Sequence, residues 1–224
     1  MERCMIINVP LFFASIPQLA YGAFISLVIA GSALLIGFIV GVLLALAQTS
    51  TNVILKKLVG FYVGVVRGTP MLIHIVFLYY VLSGAGLSLS ALLAAIIAIG
   101  LNSSAYVSQI MRSGINSVNK GQLEAAKTLG IPRKDVIVYI IIPQAVRVIL
   151  PALGNETVTL IKDSSLASII GVTELYQEGK VIISHTYDAL TVYCALAFFY
   201  LIMTTAISTL VHYYEKRINQ HVEY

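Results

Sequence analysis

No charged side chain occurs between Gly22 and Ala47, and none between Leu87 and Ile110. A helix that crosses a bilayer needs roughly 20 consecutive, mostly apolar residues, and each of these stretches is long enough. Three further segments qualify or nearly so: Gly60–Leu82, Val146–Ile170 and Ala189–Tyr213. The Val146–Ile170 segment is the least regular, because Glu156, Lys162 and Asp163 interrupt it. Backbone amides surrounded by lipid find no water to bond, so an uninterrupted span must be helical. The expected fold is therefore all-α, a polytopic membrane protein of about five transmembrane helices, with residues 1–224 forming one domain. Composition agrees: 58% of residues are hydrophobic, 11% are charged and mean hydropathy is +0.91. A soluble domain carries about 25% charged residues, since most of its surface meets water.

Basic residues orient the spans, because short cytoplasmic loops collect Lys and Arg. The first connection holds Lys56 and Lys57, with Arg67 just beyond, and the second, Ser83–Leu87, holds none. The third holds Arg112, Lys120, Lys127, Arg133 and Lys134. The fourth has Lys180 against Glu174, Glu178 and Asp188, and the tail has Lys216 and Arg217. This alternation predicts five spans with the N-terminus outside and the C-terminus in the cytoplasm. Met1–Tyr21 lacks a basic start, a clean apolar run and a cleavage site. Pro10 and Pro17 interrupt it, so it reads as a short amphipathic lead-in at the membrane surface.

The net charge of +4 reflects those loops rather than a surface for nucleic acid. Cys4 and Cys194 have no partner motif, and Cys194 reads as a small packed hydrophobe. His185, His212 and His221 have no ligand spacing, so neither a metal site nor a redox pair is expected. Tyr213 and Tyr214 suit an aromatic interface belt. Gly37 with Gly41, and Gly60 with Gly64 and Gly68, each share a helix face. Such spacing lets helices approach closely, within one subunit or between two. No Gly-x-x-x-x-Gly-Lys-Ser/Thr loop or other nucleotide cradle occurs, so any use of ATP falls to another chain. Nor does the chain hold a nucleophile–base constellation, so it is not expected to be an enzyme.

The longest hydrophilic stretch, Met111–Val138, separates spans three and four. Lys120–Leu129 is rich in helix formers, Gly130 suits a left-handed helix end, and Pro132 suits a first helical turn. Two short helices around a turn, too polar for lipid, are expected to project into the cytoplasm. Ala125 and Ala126 give them a small face that a partner's groove can approach. Glu124-Ala125-Ala126, three residues, Gly130, nine residues, then Ile140-Ile141-Ile142-Pro143 resembles the EAA loop of binding-protein-dependent ABC importer permeases. That pattern is EAA-x3-G-x9-I-x-LP, and Ile142 stands where Leu is usual. The resemblance implies that the loop, about residues 112–145, is a coupling helix seated on an ATPase subunit, with Glu124, Ala125, Ala126 and Gly130 as its contact residues.

Charges at mid-membrane are costly and face a cavity or a partner. Glu156 and Asp163 are seven apart and share a helix face with Thr159 between them, while Asn155 and Lys162 repeat the spacing on the adjacent strip. One reading is a structural ion pair of Lys162 with Asp163 or Glu156. The other is a site for a zwitterion, with Lys162 meeting a carboxylate and Glu156, Asp163 and Asn155 meeting an ammonium or polar side chain. The excess of acid favours arginine, lysine or histidine over glutamine or glutamate. Arg67-Gly68-Thr69-Pro70, Leu101–Tyr106, Leu153–Glu156 and Lys162–Leu166 are similar to stretches of polar amino acid permeases. That resemblance implies a mid-membrane cavity lined by Thr69, Asn155, Glu156, Lys162, Asp163 and Ser164. His74 stands where Gln is common, a change that would alter the pocket, and Ser164 replaces the commoner Thr.

Together these features predict a permease subunit of an ATP-driven importer in the bacterial inner membrane. Its expected partners are two ATP-binding cassette subunits, a second permease copy or paralogue, an extracytoplasmic binding protein, the amino acid and membrane lipid. This chain is expected to bind no cofactor, ATP being used by the partner ATPase. The competing reading, a secondary transporter with Glu156, Lys162 and Asp163 as an ion relay, leaves the loop at Glu124–Gly130 unexplained and has few spans.

Overall fold

The structure is a computed structural model that describes residues 7–219; Cys4 and His221 lie outside them. Among the described residues every regular element is helical. Among them four helices are long and apolar enough to cross a membrane, and a bent pair has that length and composition when taken together. In chain order the elements are α1 (Val9–Thr49), α2 (Val53–Gly68), α3 (Met71–Gly84), α4 (Ala91–Asn116), α5 (Lys120–Thr128), α6 (Arg133–Asp135), α7 (Ile142–Asp163), α8 (Leu175–Thr186) and α9 (Ala189–Asn219). A π-helical turn at Val136–Ile141 joins α6 to α7, and a 3₁₀ stretch at Ser164–Ile170 prolongs α7.

Two expectations change. From Val9 to Tyr21 the lead-in is not a separate surface element, because α1 is continuous from Val9; its first six residues lie outside those described. Pro10 falls in the first helical turn, where its missing N–H costs nothing. Asn8 caps that turn by accepting from the Leu11 amide at 3.1 Å, and its own amide donates to Thr191 Oγ1 at 2.8 Å, which ties the start of α1 to α9. Pro17 lies inside the helix and deprives it of one ladder bond. The second span, in turn, is not one straight helix. α2 and α3 meet at 105°, because Pro70 disfavours helical backbone at the residue before it. Thr69 accordingly takes an extended conformation, φ −121° and ψ 145°.

The core forms where α1 lies along α4. Ala33, Gly37, Gly41 and Ala45 of α1 are all buried, four residues apart on one face. A Cβ on Gly37 would stand 2.8 Å from Ser103 Cβ, and one on Gly41 2.8 Å from Val107 Cβ. These two glycines therefore pack the subunit internally. Among the described residues nothing lies within 4 Å of a Cβ position on Gly60, Gly64 or Gly68, so they leave that face of α2 unpacked. α4 also packs on α7, and α7 on α9. Antiparallel α4 and α7 thus form the wall on which the charged residues sit.

Candidate functional site

A cavity of about 430 Å³ opens between α4, α7 and the α2–α3 bend. From α7 it is lined by Asn155, Glu156, Thr159 and Asp163, from α4 by Asn102 and Tyr106, and from the bend by Thr69 and Met71. Asn155 and Glu156 are adjacent, and Thr159 and Asp163 follow at steps of three and four, so successive turns present them to one side. Thr69, Asn155, Glu156 and Asp163 thus meet at one space, while the expected stripe loses Lys162.

The stripe is not held by an ion pair. Among the described residues no Lys or Arg nitrogen lies within 4.0 Å of Glu156 or Asp163. Instead Glu156 Oε1 accepts a hydrogen bond from Ser103 Oγ at 2.6 Å. A hydroxyl on a neighbouring helix orients the carboxylate without neutralising it, leaving its charge available to a cationic group.

Three expected lining residues sit elsewhere. Lys162 is exposed and outside the cavity wall, because one residue along a helix turns a side chain by about 100° from Asp163. Ser164 is fully buried, its hydroxyl donating to the Ile161 carbonyl at 2.7 Å where the helix tightens to 3₁₀. His74 braces the wall rather than lining it. Asn102 Nδ2 stands 3.0 Å from its Nδ1 and Thr69 Oγ1 2.6 Å from its Nε2. With the amide donating to Nδ1, Nε2 carries the proton and donates to Thr69, whose hydroxyl then donates to the Val65 carbonyl at 2.8 Å. One imidazole therefore fixes two wall residues from different helices.

The loop between α4 and α7 has the expected two-helix form. Asn119 caps α5, its Oδ1 accepting from the Gly121 amide at 2.8 Å. Gly130 is left-handed, φ +68°. Its amide donates to the Lys127 carbonyl at 3.1 Å and the Ile131 amide to the Ala126 carbonyl at 3.0 Å, the paired closure of a glycine-ended helix. Pro132 has ψ 140° and precedes the first turn of α6 rather than occupying it. Glu124 and Ala125 are exposed, but Ala126 is buried against its own chain, so the small face is Ala125 alone. Gln144 Nε2 donates to Gln122 Oε1 at 2.7 Å, which links α5 to the first turn of α7. A shallow groove of about 390 Å³ beside them exposes Leu129 and Tyr139.

Sequence reasoning missed two features. Asn102 and Ser103 were visible as polar residues in an apolar span, yet only the fold turns one to the cavity and the other to Glu156. Glu174 read as an outer-loop acid and is fully buried. It accepts from the Tyr176 and Gln177 amides, both at 2.9 Å, from Ser26 Oγ at 3.2 Å and from Tyr200 OH at 3.3 Å. One carboxylate thus caps α8 and fastens it to α1 and α9. No local pattern announces this.

Residues 34–220 match the family described as the binding-protein-dependent transport system inner membrane component. The chain belongs to that family. The permease is 37% identical over 206 residues to the glutamine transport system permease protein GlnP of Escherichia coli K12, covering 91% of this chain and 94% of that one. It is 36% identical over 217 residues to the probable amino-acid ABC transporter permease protein YckA of Bacillus subtilis 168, covering 97% and 96%. Among solved structures it superposes on an amino acid ABC transporter with histidines, with a TM-score of 0.89 at 35% identity, covering 95% and 99%. The MetNI methionine ABC transporter in inward-facing form shares the fold, with a TM-score of 0.69 at 20% identity. The chain is thus the multi-pass permease subunit of an amino acid ABC importer, and separate ATPase subunits hydrolyse the ATP.

Proposed function

We propose that this permease imports a polar amino acid through the cavity between α4 and α7, with glutamine the foremost candidate. The observation that carries the reading is the chemistry of that wall: amides at Asn102 and Asn155, hydroxyls at Thr69 and Thr159, and carboxylates at Glu156 and Asp163 around one space. An amide side chain finds donors and acceptors there, and an ammonium finds Glu156. The relatives named for glutamine lean the same way. A second reading, a cationic substrate such as arginine, lysine or histidine, is favoured by the two carboxylates and by the lack of Lys or Arg among the described residues of this wall.

In this reading two ATPase subunits dock against the loop at Glu124, Ala125 and Gly130, and an extracytoplasmic binding protein delivers the substrate. A second permease copy or paralogue completes the pathway in a bacterial inner membrane. The N-terminus is outside and the loop in the cytoplasm. The chain itself binds no cofactor. The docked loop transmits motion because it is bound at both ends, by its left-handed glycine closure and by the Gln122–Gln144 bond to α7, whose next turns carry the cavity wall.

The test is ATP-dependent uptake in proteoliposomes holding the permease, its ATPase and its binding protein. Labelled glutamine is competed in turn by arginine, lysine, histidine and glutamate. Glutamine uptake resistant to the cationic competitors supports the first reading, and strong displacement by arginine or lysine supports the second. Amino acid uptake by this chain alone under a proton gradient would overturn both.

A further inference from the structure

A second cavity, about 290 Å³, adjoins the first and shares Tyr106, Ile110, Ala152 and Glu156 with it. Its position follows from the two antiparallel helices. On α4 the first cavity involves Asn102 to Ile110, and the second reaches on to Gln109 and Ser113. On α7 the first involves Ala152 to Asp163, and the second reaches back to Val148. Both shifts run toward the α5–α6 loop, by about one helical turn. The second chamber therefore lies between the substrate cavity and the end of the permease that carries that loop.

Among the described residues Arg67 is the one cation on its wall. It comes from the last turn of α2, and its guanidinium stands over the Tyr106 ring, 5.2 Å from the centroid. Among the described residues no carboxylate lies within 4.0 Å of it. The arrangement is a positive charge set on a rigid aromatic face, with its ion-pairing capacity unused among the described residues, in a chamber that Glu156 also lines. An amino acid carries its ammonium and carboxylate on one carbon. Glu156 lines both chambers and Arg67 only the second, so the two charges of a zwitterion have partners of opposite sign in that order along the path. A planar guanidinium also suits a carboxylate better than an ammonium does.

We propose that Arg67 forms a carboxylate-binding subsite on the loop side of the substrate cavity, receiving the α-carboxylate of the amino acid as it leaves the main chamber. This rests on the reading of that chamber as an amino acid site. Glu156 holds the ammonium at the shared wall while the carboxylate moves onto Arg67, and the polar side chain trails along Asn155 and Asn102.

The experiment measures equilibrium binding to the solubilised permease–ATPase complex without nucleotide. Two matched pairs are used: glutamine with its carboxyl-free analogue 4-aminobutanamide, and arginine with its carboxyl-free analogue agmatine. The ratio of affinities within a pair reports carboxylate recognition alone. In Arg67→Gln that ratio is expected to fall by roughly tenfold, as for loss of a hydrogen bond to a charged group. Arg67→Lys should fall less than Arg67→Gln. Arg67→Met keeps an apolar stem against Tyr106 without the charge, so it should behave like Gln and carries the test if the Gln variant does not assemble. An unchanged ratio in Met or Gln, with binding still measurable, overturns the subsite. If only the arginine pair binds, the glutamine reading fails while the subsite is still judged by the agmatine ratio. If the wild type binds neither pair, the amino acid cavity and the subsite both fall.

Discussion

Gly37→Ala adds one methyl group at the tightest point of the α1–α4 seam, where packing and the site meet. The new Cβ would stand 2.7 Å from Ser103 Oγ and 2.8 Å from Ser103 Cβ. Carbon atoms in good contact sit about 3.5–4.0 Å apart, so the two helices must separate by several tenths of an ångström or more. Ser103 cannot swing clear, because its Cβ is fixed to the α4 backbone. Overpacking of this kind costs about 1–3 kcal/mol, whereas alanine in place of glycine returns up to about 1 kcal/mol of helix propensity. The net expectation is a loss of up to about 2 kcal/mol. A Cβ on Gly31 in the same helix would meet nothing within 4 Å among the described residues, so Gly31→Ala should keep the propensity gain and stabilise. Thermal unfolding of the purified complex compares the two. Ser103 also donates to Glu156, so Gly37→Ala should slow uptake as well. Adding Ser103→Gly to Gly37→Ala removes the clash at a helix-propensity cost of under about 1 kcal/mol, and should recover part of the stability but not transport, because the Glu156 bond stays lost. If Gly31→Ala and Gly37→Ala shift the midpoint in the same direction, the seam is not what limits α1 here.

Three further outcomes are expected. Glu156→Gln and Asp163→Asn should each lower uptake by roughly tenfold or more, from loss of a charge-assisted contact, with assembly by size-exclusion chromatography unaltered; normal kinetics in both would return the stripe to a structural role. Gly130→Ala places a Cβ in left-handed backbone at about 1–2 kcal/mol and should reduce amino acid moved per ATP hydrolysed, whereas unaltered coupling would show that the loop tolerates another bend. Glu174→Ala strands donors from α1, α8 and α9 at about 1–3 kcal/mol each and should lower the thermal midpoint markedly, with Glu174→Gln between it and wild type; an unshifted midpoint in Glu174→Ala would mean that α8 is held by apolar packing alone.

The five-span pattern and the loop were legible because both are local. A charge-free run the width of a bilayer admits little but helix, and a glycine that must close a helix needs only its own neighbours to do so. The bend at Thr69–Pro70 was local too, since proline acts on the residue before it, but the apolar residues flanking Arg67–Pro70 on both sides masked the break. Pro10 misled in the opposite sense. It breaks a helix in the interior and starts one in the first turn, and Asn8 with Thr191 decides which applies.

The charged stripe of span four shows where local reasoning ends. A seven-residue spacing put Glu156 and Asp163 on one face, and the sequence alone determined that much, because helical periodicity holds wherever a helix forms. Whether that face met a cation, a cavity or another helix depended on residues from distant parts of the chain. Tertiary structure gave Glu156 to Ser103, turned Lys162 outward, set His74 behind Thr69 and Asn102, and buried Glu174 among three helices. Each outcome depends on the rotation and height of one helix against another. Those are fixed by contacts such as Gly37 on Ser103, between residues far apart in the chain. The apolar runs determined that this protein lives in a membrane; how its helices pack decided which of its few polar groups face the path.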